Sequence, residues 1–277
     1  MIPACGSLIR GRSPNPSTPS AVGRCALMPR GPRLIVPHIA VHIVQRGHDR
    51  GNCFRHDTDY LVYLANLRDL SAKSRCALHA YCLMTNHVHL LLTPSNPHAC
   101  ALLMRNLGQR YVQYFNRRYE RSGTLWEGRF RSCLVDSAQY VIACHRYIEL
   151  NPVRAGMVPS ASAYRWSSHN GNAGRASNQL LTRHAEYLAL AADETSRHAA
   201  YRGLFAVGDE PAFLAAIRDA TNGGFALVGE QLKSMLPADT QRRLERRPPG
   251  PRAKTVPQPD NVSSELELEL GLRPRTG

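Results

Sequence analysis

Two histidines in the first half of the chain, His87 and His89, have the spacing of a metal-binding pair. They lie in the stretch Tyr81-Cys-Leu-Met-Thr-Asn-His-Val-His-Leu-Leu-Leu92, which alternates and then becomes entirely apolar. This pattern predicts a β-strand, on which residues i and i+2 point to the same face. Both imidazoles would then lie on one face of a sheet, with Val88 and Leu90 on the other. They would form half of a metal site.

A tyrosine and an asparagine four residues apart, Tyr147 and Asn151, can complete this half-site. A helix is predicted from Asp136, which can cap it, to about Asn151, because Pro152 disfavours helical geometry in the residue before it. On a helix, residues i and i+4 share a face, so the phenol and the amide oxygen would be presented together. We interpret Tyr147 as a nucleophile and Asn151 as a third metal ligand.

These four side chains have the chemistry of phosphoryl transfer. A phenol with a pKa of about 10 is a weak nucleophile at neutral pH, so it needs a divalent metal ion that polarises the scissile phosphate. The ligand set suits Mg²⁺ or Mn²⁺, and the histidines also admit Co²⁺, Ni²⁺ or Zn²⁺. Attack by Tyr147 would give a covalent 5′-phosphotyrosine link and a free 3′-hydroxyl. Because the bond energy is kept, the strand can be rejoined to another end.

The elements around these residues are predicted in the order strand, helix, strand, strand, helix, strand, helix. This order is typical of an α+β fold with a ferredoxin-like antiparallel sheet and helices on one face, and a small helical C-terminal extension would follow. The predicted strands are 38–47, 76–84, 87–93 and 129–135, the predicted helices are 57–74, 99–119 and 136–151, and the extension has helical patterns at about 184–206, 209–220 and 229–237.

The two ends of the chain differ in composition from its centre. Residues 1–27 are rich in Ser, Pro, Gly and Arg, and residues 238–277 are Arg/Pro-rich and then acidic. Both ends are predicted to be disordered. Patterned sequence begins after Met28, so the first 27 residues are a candidate for a segment that is not translated. We expect a catalytic domain at 28–158 and a helical extension at 159–237.

A formal net charge of +14 over 277 residues favours a polyanionic partner, and nucleic acid is the first candidate. Residues 101–131 contain seven Arg and two Glu, interleaved with aromatic residues. This mixture suits single-stranded or structured nucleic acid, whose bases stack and whose phosphates pair with guanidinium groups. The predicted DNA-binding residues are Arg46, Gly47, Arg50, Arg105, Arg110, Arg117, Arg118, Arg129 and Arg131.

The cysteines and the apolar segments indicate the compartment. None of the eight cysteines forms a C-x-x-C pair, and their spacings show no disulfide framework, so we predict reduced thiols. No apolar run approaches the roughly 20 residues of a membrane span, and the N-terminus lacks the apolar core of a signal peptide. We predict a cytoplasmic, nucleoid-associated protein with no membrane partner.

The motifs resemble those of the REP-associated tyrosine transposases, which belong to the HUH superfamily of single-strand nucleases. The resemblance implies that His87, His89 and Asn151 bind the metal and that Tyr147 is the nucleophile. It also implies a ferredoxin-like fold and a substrate of single-stranded or hairpin DNA carrying repetitive extragenic palindromes, bound by a monomer or a homodimer. Besides Tyr81–Leu92, the matching stretches are Tyr114–Arg118, Gly123–Arg129, Tyr147–Met157 and Trp166–Ser168.

Two other functions are compatible with the sequence. The chain could be a repeat-binding or regulatory DNA-binding protein that does not cleave DNA. It could also hold a structural zinc ion with His87, His89 and Cys82 or Cys76, although no cysteine pair supports a closed site. Metal-dependent cleavage would distinguish the transposase from the regulatory protein, and unfolding by a chelator would favour the zinc module.

Overall fold

Four antiparallel strands form the central sheet of the computed structural model, which describes residues 33–136, 138–206 and 211–244. The predicted disordered segment 1–27 lies outside these residues. The strand order β2-β3-β1-β4, with antiparallel pairing throughout, confirms the predicted ferredoxin-like α+β fold. The strands are β1 (Ala40–Arg46), β2 (Cys76–Met84), β3 (His87–Pro94) and β4 (Arg131–Val135).

Helices cover both faces of this sheet. The two long helices, α1 (Asp57–Ser74) and α2 (Ala99–Arg118), pack against each other. A Cβ atom at Gly108 of α2 would lie 4.0 Å from the side chain of Gln45 in β1. The predicted helical layer on one face is therefore present, and the structure adds α3 (Ala138–Glu149) on the opposite face, where its Tyr147 contacts His42 of β1. The second layer is needed because β1 and β2 are buried along almost their whole length.

The helix predicted to reach Asn151 is interrupted before that residue. Helix α3 ends at Glu149, and Asn151 begins a separate one-turn helix, α4 (Asn151–Arg154). Pro152 occupies the first turn of α4, where its missing N–H costs nothing. Tyr147 and Asn151 thus lie on two adjoining helices instead of one.

The C-terminal extension is helical, as expected, but its segments differ from the predicted ones. The pattern at 184–206 is two helices, because the Asp193 carboxylate accepts a hydrogen bond from the Ser196 N–H (2.8 Å) and starts a new helix. The disorder expected from residue 238 is wrong for its first seven residues, where the buried Leu244 holds a helix on the core; residues 245–277 lie outside the described chain. The helices are α5 (His169–Asn172), α6 (Ala185–Leu188), α7 (Glu194–Gly203), α8 (Pro211–Gly223), α9 (Glu230–Met235) and α10 (Ala238–Leu244).

The extension is joined to the sheet by backbone hydrogen bonds at two places. At the β2 edge, the Leu83 N–H donates to the Trp166 carbonyl (3.0 Å), and the Ser168 N–H donates to the Tyr81 carbonyl (2.9 Å). At the β4 edge, the Leu227 N–H donates to Leu134 (2.8 Å). Each contact gives a sheet edge a partner, as an edge strand requires.

Six of the eight cysteines lie in the ranges that the structure describes. The six cysteines there (53, 76, 82, 100, 133 and 144) are free and buried, in agreement with the predicted reduced thiols. Within those same ranges, none of the helices combines the length and the apolar composition of a membrane span.

Candidate active site

Strand β3 presents both histidines on the face covered by α3. Val88 and Leu90 are fully buried on the other face. The rings of His87 and His89 lie 4.9 Å apart between centroids. His89 is buried, whereas His87 is half-buried at the start of the strand, opposite Arg46 of β1. The structure therefore brings the predicted pair together at one end of the sheet.

Each of the two imidazoles is held through its Nδ1 atom. Nδ1 of His87 is 2.7 Å from the Asn86 Oδ1, and Nδ1 of His89 is 3.0 Å from Nε2 of His42. Burial lowers the pKa of His87 to about 4, with a further contribution from Arg46, and burial lowers the pKa of His89 well below its usual value. Both rings are thus neutral at pH 7, as metal ligands must be, and Nε2 is the ring nitrogen that these contacts leave for a metal.

A third histidine, His42, belongs to the same cluster and was not selected from the sequence. Its ring lies beside that of His89 and nearly in the same plane, with centroids 5.2 Å apart and planes 9° from parallel. Its Nδ1 lies 2.9 Å from the hydroxyl of Thr221, and burial lowers its pKa to about 3. The available signal was its place in a predicted strand of the same sheet, but its contact with His89 depends on how β1 pairs with β3.

Helix α3 places Tyr147 directly against these rings. The phenol ring contacts His42 and His89 edge-on, with centroids 5.7 and 5.9 Å away, and the side chain is 7% exposed. The Arg154 guanidinium lies 4.7 Å above the ring and donates to the Tyr147 carbonyl, and Arg218 hydrogen-bonds to its side chain. Burial raises the pKa of Tyr147, and the two arginines lower it by less. At neutral pH the side chain is a protonated phenol with cations beside it.

Asn151 directs its amide nitrogen towards the end of α3. Its Nδ2 donates to the carbonyl oxygens of Tyr147 (2.9 Å) and Ile148 (3.2 Å). A metal ion would therefore bind through the amide oxygen. Together with the two imidazoles, this oxygen would offer a mixed donor set, in which the oxygen suits Mg²⁺ or Mn²⁺ and the nitrogens suit Zn²⁺ or Ni²⁺.

The closed zinc site finds no support in this geometry. Among residues 33–136, 138–206 and 211–244, no group of three or more His, Cys, Asp or Glu is arranged to hold a metal ion. Cys82 lies opposite His89 in the β2–β3 pairing, but its thiol contacts the Met84 sulfur at 3.7 Å. Burial raises the pKa of Cys82 well above its usual value, so the side chain is a thiol at neutral pH in the metal-free protein.

A comparison with known protein families matches one part of the chain. Residues 35–151 match the model described as "Transposase IS200 like". These residues belong to the IS200-like transposase family. The matched range includes His42, His87, His89, Tyr147 and Asn151, and it ends before the extension that carries Thr221 and Arg218.

Solved structures also resemble this chain. One is a REP-associated tyrosine transposase bound to a REP hairpin, which is 14% identical, covers 57% of this chain and 93% of that one, and gives a TM-score of 0.47. Another is a crystal structure of a putative transposase from Deinococcus radiodurans R1, with 19% identity, coverage of 46% and 97%, and a TM-score of 0.32. A comparison with curated proteins gave no match.

Some of the predicted DNA-binding residues lie beside the histidines of the transposase domain. Arg46 is exposed and pairs with His87 across the β1–β3 ladder. Arg131 is exposed and pairs with Val44, which shares the sheet face of His42. A Cβ at Gly47 would lie 2.2 Å from the Gly51 carbonyl oxygen, so only glycine lets this loop close.

The loop residue Arg50 lies on the same side of the domain as Arg46. Its carbonyl accepts a hydrogen bond from the Asn86 side chain (3.1 Å), next to His87. Arg129 is exposed just before β4.

The predicted DNA-binding residues of α2 lie elsewhere. Arg105, Arg110 and Arg117 are exposed on a helix that covers the sheet face opposite Tyr147. Arg118 has a structural contact: its Nε lies 3.6 Å from the buried Asp59 carboxylate. The structure therefore separates the predicted arginines into a group beside the candidate active site and a group on the far helix.

Proposed function

We propose that this transposase is a metal-dependent single-stranded DNA endonuclease and strand transferase that forms a covalent 5′-phosphotyrosine intermediate. The observation that carries the proposal is the packing of Tyr147 against His89, on the sheet face that also presents His87. A phenol beside two neutral imidazoles fits tyrosine-based phosphoryl transfer, in which the metal and the nucleophile must meet at one phosphate.

The chemical step uses the phenolic oxygen of Tyr147. This oxygen attacks the scissile phosphorus, a Tyr–O–P bond forms, and the bond from phosphorus to the 3′-oxygen breaks. The phenol loses its proton to solvent, and the leaving 3′-oxygen takes one up. Arg154 and Arg218 stabilise the negative charge around the phenol and the phosphate. His87, His89 and Asn151 would hold the Mg²⁺ or Mn²⁺ ion, which supplies Lewis-acid polarisation of the phosphate when bound.

The proposed substrate is hairpin DNA of the repetitive extragenic palindrome class. Its support is the resemblance of the sequence motifs to REP-associated enzymes, together with the net charge of +14 and the exposed arginines beside His87. Such a substrate is chromosomal, so the protein would act in the cytoplasm at the nucleoid.

The first test is an adduct assay on a denaturing gel. Wild-type protein is incubated with single-stranded hairpin oligonucleotides from its own genome, with Mn²⁺ or with EDTA. We expect a metal-dependent covalent adduct, which Tyr147→Phe reduces by more than about 1,000-fold because the nucleophile is absent. Hairpin binding should be nearly unchanged, because the substitution removes one hydroxyl and no cation.

The matched control is Tyr140→Phe on the same helix, since the Tyr140 ring stacks on Phe213, 5.8 Å away, and not on a histidine. This variant should form the adduct as the wild type does. An adduct that persists in Tyr147→Phe would contradict the assignment of the nucleophile. Tight hairpin binding with no adduct in any metal would instead favour a regulatory DNA-binding protein.

A further inference from the structure

Helix α8, outside the range that matches the transposase family, carries a hydroxyl that contacts the histidine cluster. Thr221 is 4% exposed, and its Oγ1 has three polar neighbours. It donates to the Ile217 carbonyl (2.8 Å), lies 2.9 Å from Nδ1 of His42, and lies 3.2 Å from the Cys133 sulfur. These contacts connect the C-terminal extension to the candidate metal site.

The position of each proton follows from this arrangement. A hydroxyl has one hydrogen, and that of Thr221 is used on the Ile217 carbonyl. With the hydrogen placed there, the Thr221 oxygen accepts from His42, and Nδ1 of His42 carries the hydrogen. Nε2 of His42 is then an acceptor, and it accepts the hydrogen on Nδ1 of His89 at 3.0 Å. The lone pair of His89 is consequently on Nε2.

We propose that Thr221 and His42 are positioning residues, a relay that fixes the His89 tautomer and ring orientation so that Nε2 binds the metal. The inference rests on the proposed function and adds to it a role for the C-terminal extension. Groups that hydrogen-bond to a metal-binding histidine commonly orient the ring and tune its basicity. Here that partner is itself oriented by a residue 179 positions further along the chain.

The extension holds this helix firmly against the sheet. Arg131 of β4 donates to the Asn222 side chain at 2.7 Å, one residue after Thr221. The Leu227 N–H donates to Leu134 (2.8 Å), and the Asp136 N–H donates to the Leu227 carbonyl (3.0 Å). The contacts at Asn222, within α8, and at Leu227, just after it, hold the C-terminal end of this helix beside β4. They keep the Thr221 hydroxyl at His42.

The test compares two substitutions at Thr221 with a control of the same chemistry. Thr221→Val keeps the side-chain shape and removes the hydroxyl, and Thr221→Ser restores the hydroxyl. The control is Thr93→Val, because the Thr93 hydroxyl also holds a buried histidine, Nε2 of His79 at 2.8 Å, away from Tyr147. Mn²⁺ affinity is measured by calorimetry, folding by thermal melting, and the His89 tautomer by ¹⁵N NMR of the metal-free protein.

We expect Thr221→Val to weaken Mn²⁺ binding by about tenfold, while Thr221→Ser and Thr93→Val bind as the wild type does. In metal-free wild-type protein, the NMR spectrum should show His89 protonated at Nδ1, and Thr221→Val should show a mixture of tautomers. Wild-type His89 protonated mainly at Nε2 would overturn the relay even if Thr221→Val fails to fold. So would unchanged Mn²⁺ affinity in folded Thr221→Val, or an equal loss in Thr93→Val.

The failure of the relay can be distinguished from the failure of the proposed function. If wild-type protein forms a metal-dependent adduct but His89 lacks the Nδ1–H tautomer, the relay is wrong and the proposed function stands. If wild-type protein binds no Mn²⁺ and forms no adduct, the proposed function is wrong. The NMR spectrum of the metal-free protein then still tests the His89 tautomer.

Discussion

Tyr147 is held between cations that come from two different elements. Arg154 of α4 lies over its ring, and Arg218 of α8 hydrogen-bonds to its side chain. A buried phenol resists ionisation, so charge that develops on its oxygen during attack must be stabilised by groups already in place. Both arginines are exposed, and a scissile phosphate can therefore approach them from solvent.

Arg218→Gln should slow adduct formation by about 100-fold, because it removes a preorganised cation at the reacting oxygen. Single-turnover kinetics with saturating hairpin would measure the effect separately from binding. Arg68→Gln is the control, because Arg68 is exposed on α1 and pairs with its neighbour Asp69 at 3.6 Å. Equal rates for Arg218→Gln and the control would exclude Arg218 from the step.

The site residues that can be predicted from the sequence are those whose spacing within one strand or helix indicates a shared face. His87 with His89, and Tyr147 with Asn151, were predicted because two-residue and four-residue spacings place each pair on one face of an element. His42 and Arg218 were not predicted, because their contacts require the β1–β3 pairing and the docking of α8. Neither of these long-range arrangements has a counterpart in residue spacing.

At the scale of elements, a buried carboxylate joins the start of α1 to the end of α2. Asp59, whose side chain is fully buried, accepts hydrogen bonds from the Tyr119 (2.7 Å) and Tyr114 (2.9 Å) hydroxyls and from the Arg55 (2.8 Å) and His56 (3.1 Å) N–H groups. Burial raises the pKa of Asp59, but these hydrogen bonds lower it more, and the net pKa is below its usual value. The same carboxylate explains why Arg118, predicted to bind DNA, points at the protein.

We therefore predict that Asp59→Asn destabilises the fold by about 2 kcal/mol at pH 7, since the bonds to a charged acceptor are lost. Because the folded-state pKa is lower than the unfolded-state value of about 3.9, charged Asp59 stabilises the protein above that value. This contribution is lost as the pH falls through the folded-state pKa, so the difference between wild type and variant should shrink in acid. Urea unfolding at a series of pH values measures it.

The control for this prediction is Asp57→Asn in the same helical turn. Asp57 is 64% exposed and pairs with Arg165 at 2.8 Å, and a surface pair of this kind contributes little. Its loss should change stability by less than about 0.5 kcal/mol. If both variants lose the same stability, the buried network is not what secures α1 to α2.

The strands and long helices were predictable because their patterns are local. The predicted α1 and β2 coincide with the observed elements, since apolar spacing and strand alternation record burial directly. The break between α6 and α7 and the helix α10 were missed. Both depend on particular contacts, an Asp193 cap and the burial of Leu244, that the apolar pattern does not record.

The molecule as a whole presents arginines on two opposed sides of the sheet. Arg46 lies beside His87 at the candidate active site, whereas Arg117 is exposed on α2 across the sheet. A single DNA strand bound at Tyr147 can directly contact only the side of the sheet that carries Arg46 and His87. The arginines of α2 can contact DNA only if the hairpin extends around the edge of the domain, and a folded stem beyond the cleavage point has the length to do so.

Salt dependence of hairpin binding distinguishes these two geometries. Arg46→Gln should reduce the log–log slope of affinity against salt by about 0.7, the value for one lost single-strand phosphate contact, and should also slow adduct formation. If the stem reaches α2, Arg117→Gln should reduce the slope by about 0.9, the value for duplex DNA, with cleavage of bound DNA unchanged. Arg68→Gln, on the neighbouring helix α1, removes one charge elsewhere and should leave the slope unaltered. An unchanged slope in Arg117→Gln would confine DNA to the side of the sheet that carries Tyr147, and an unchanged slope in Arg46→Gln would contradict the proposed path of the cleaved strand.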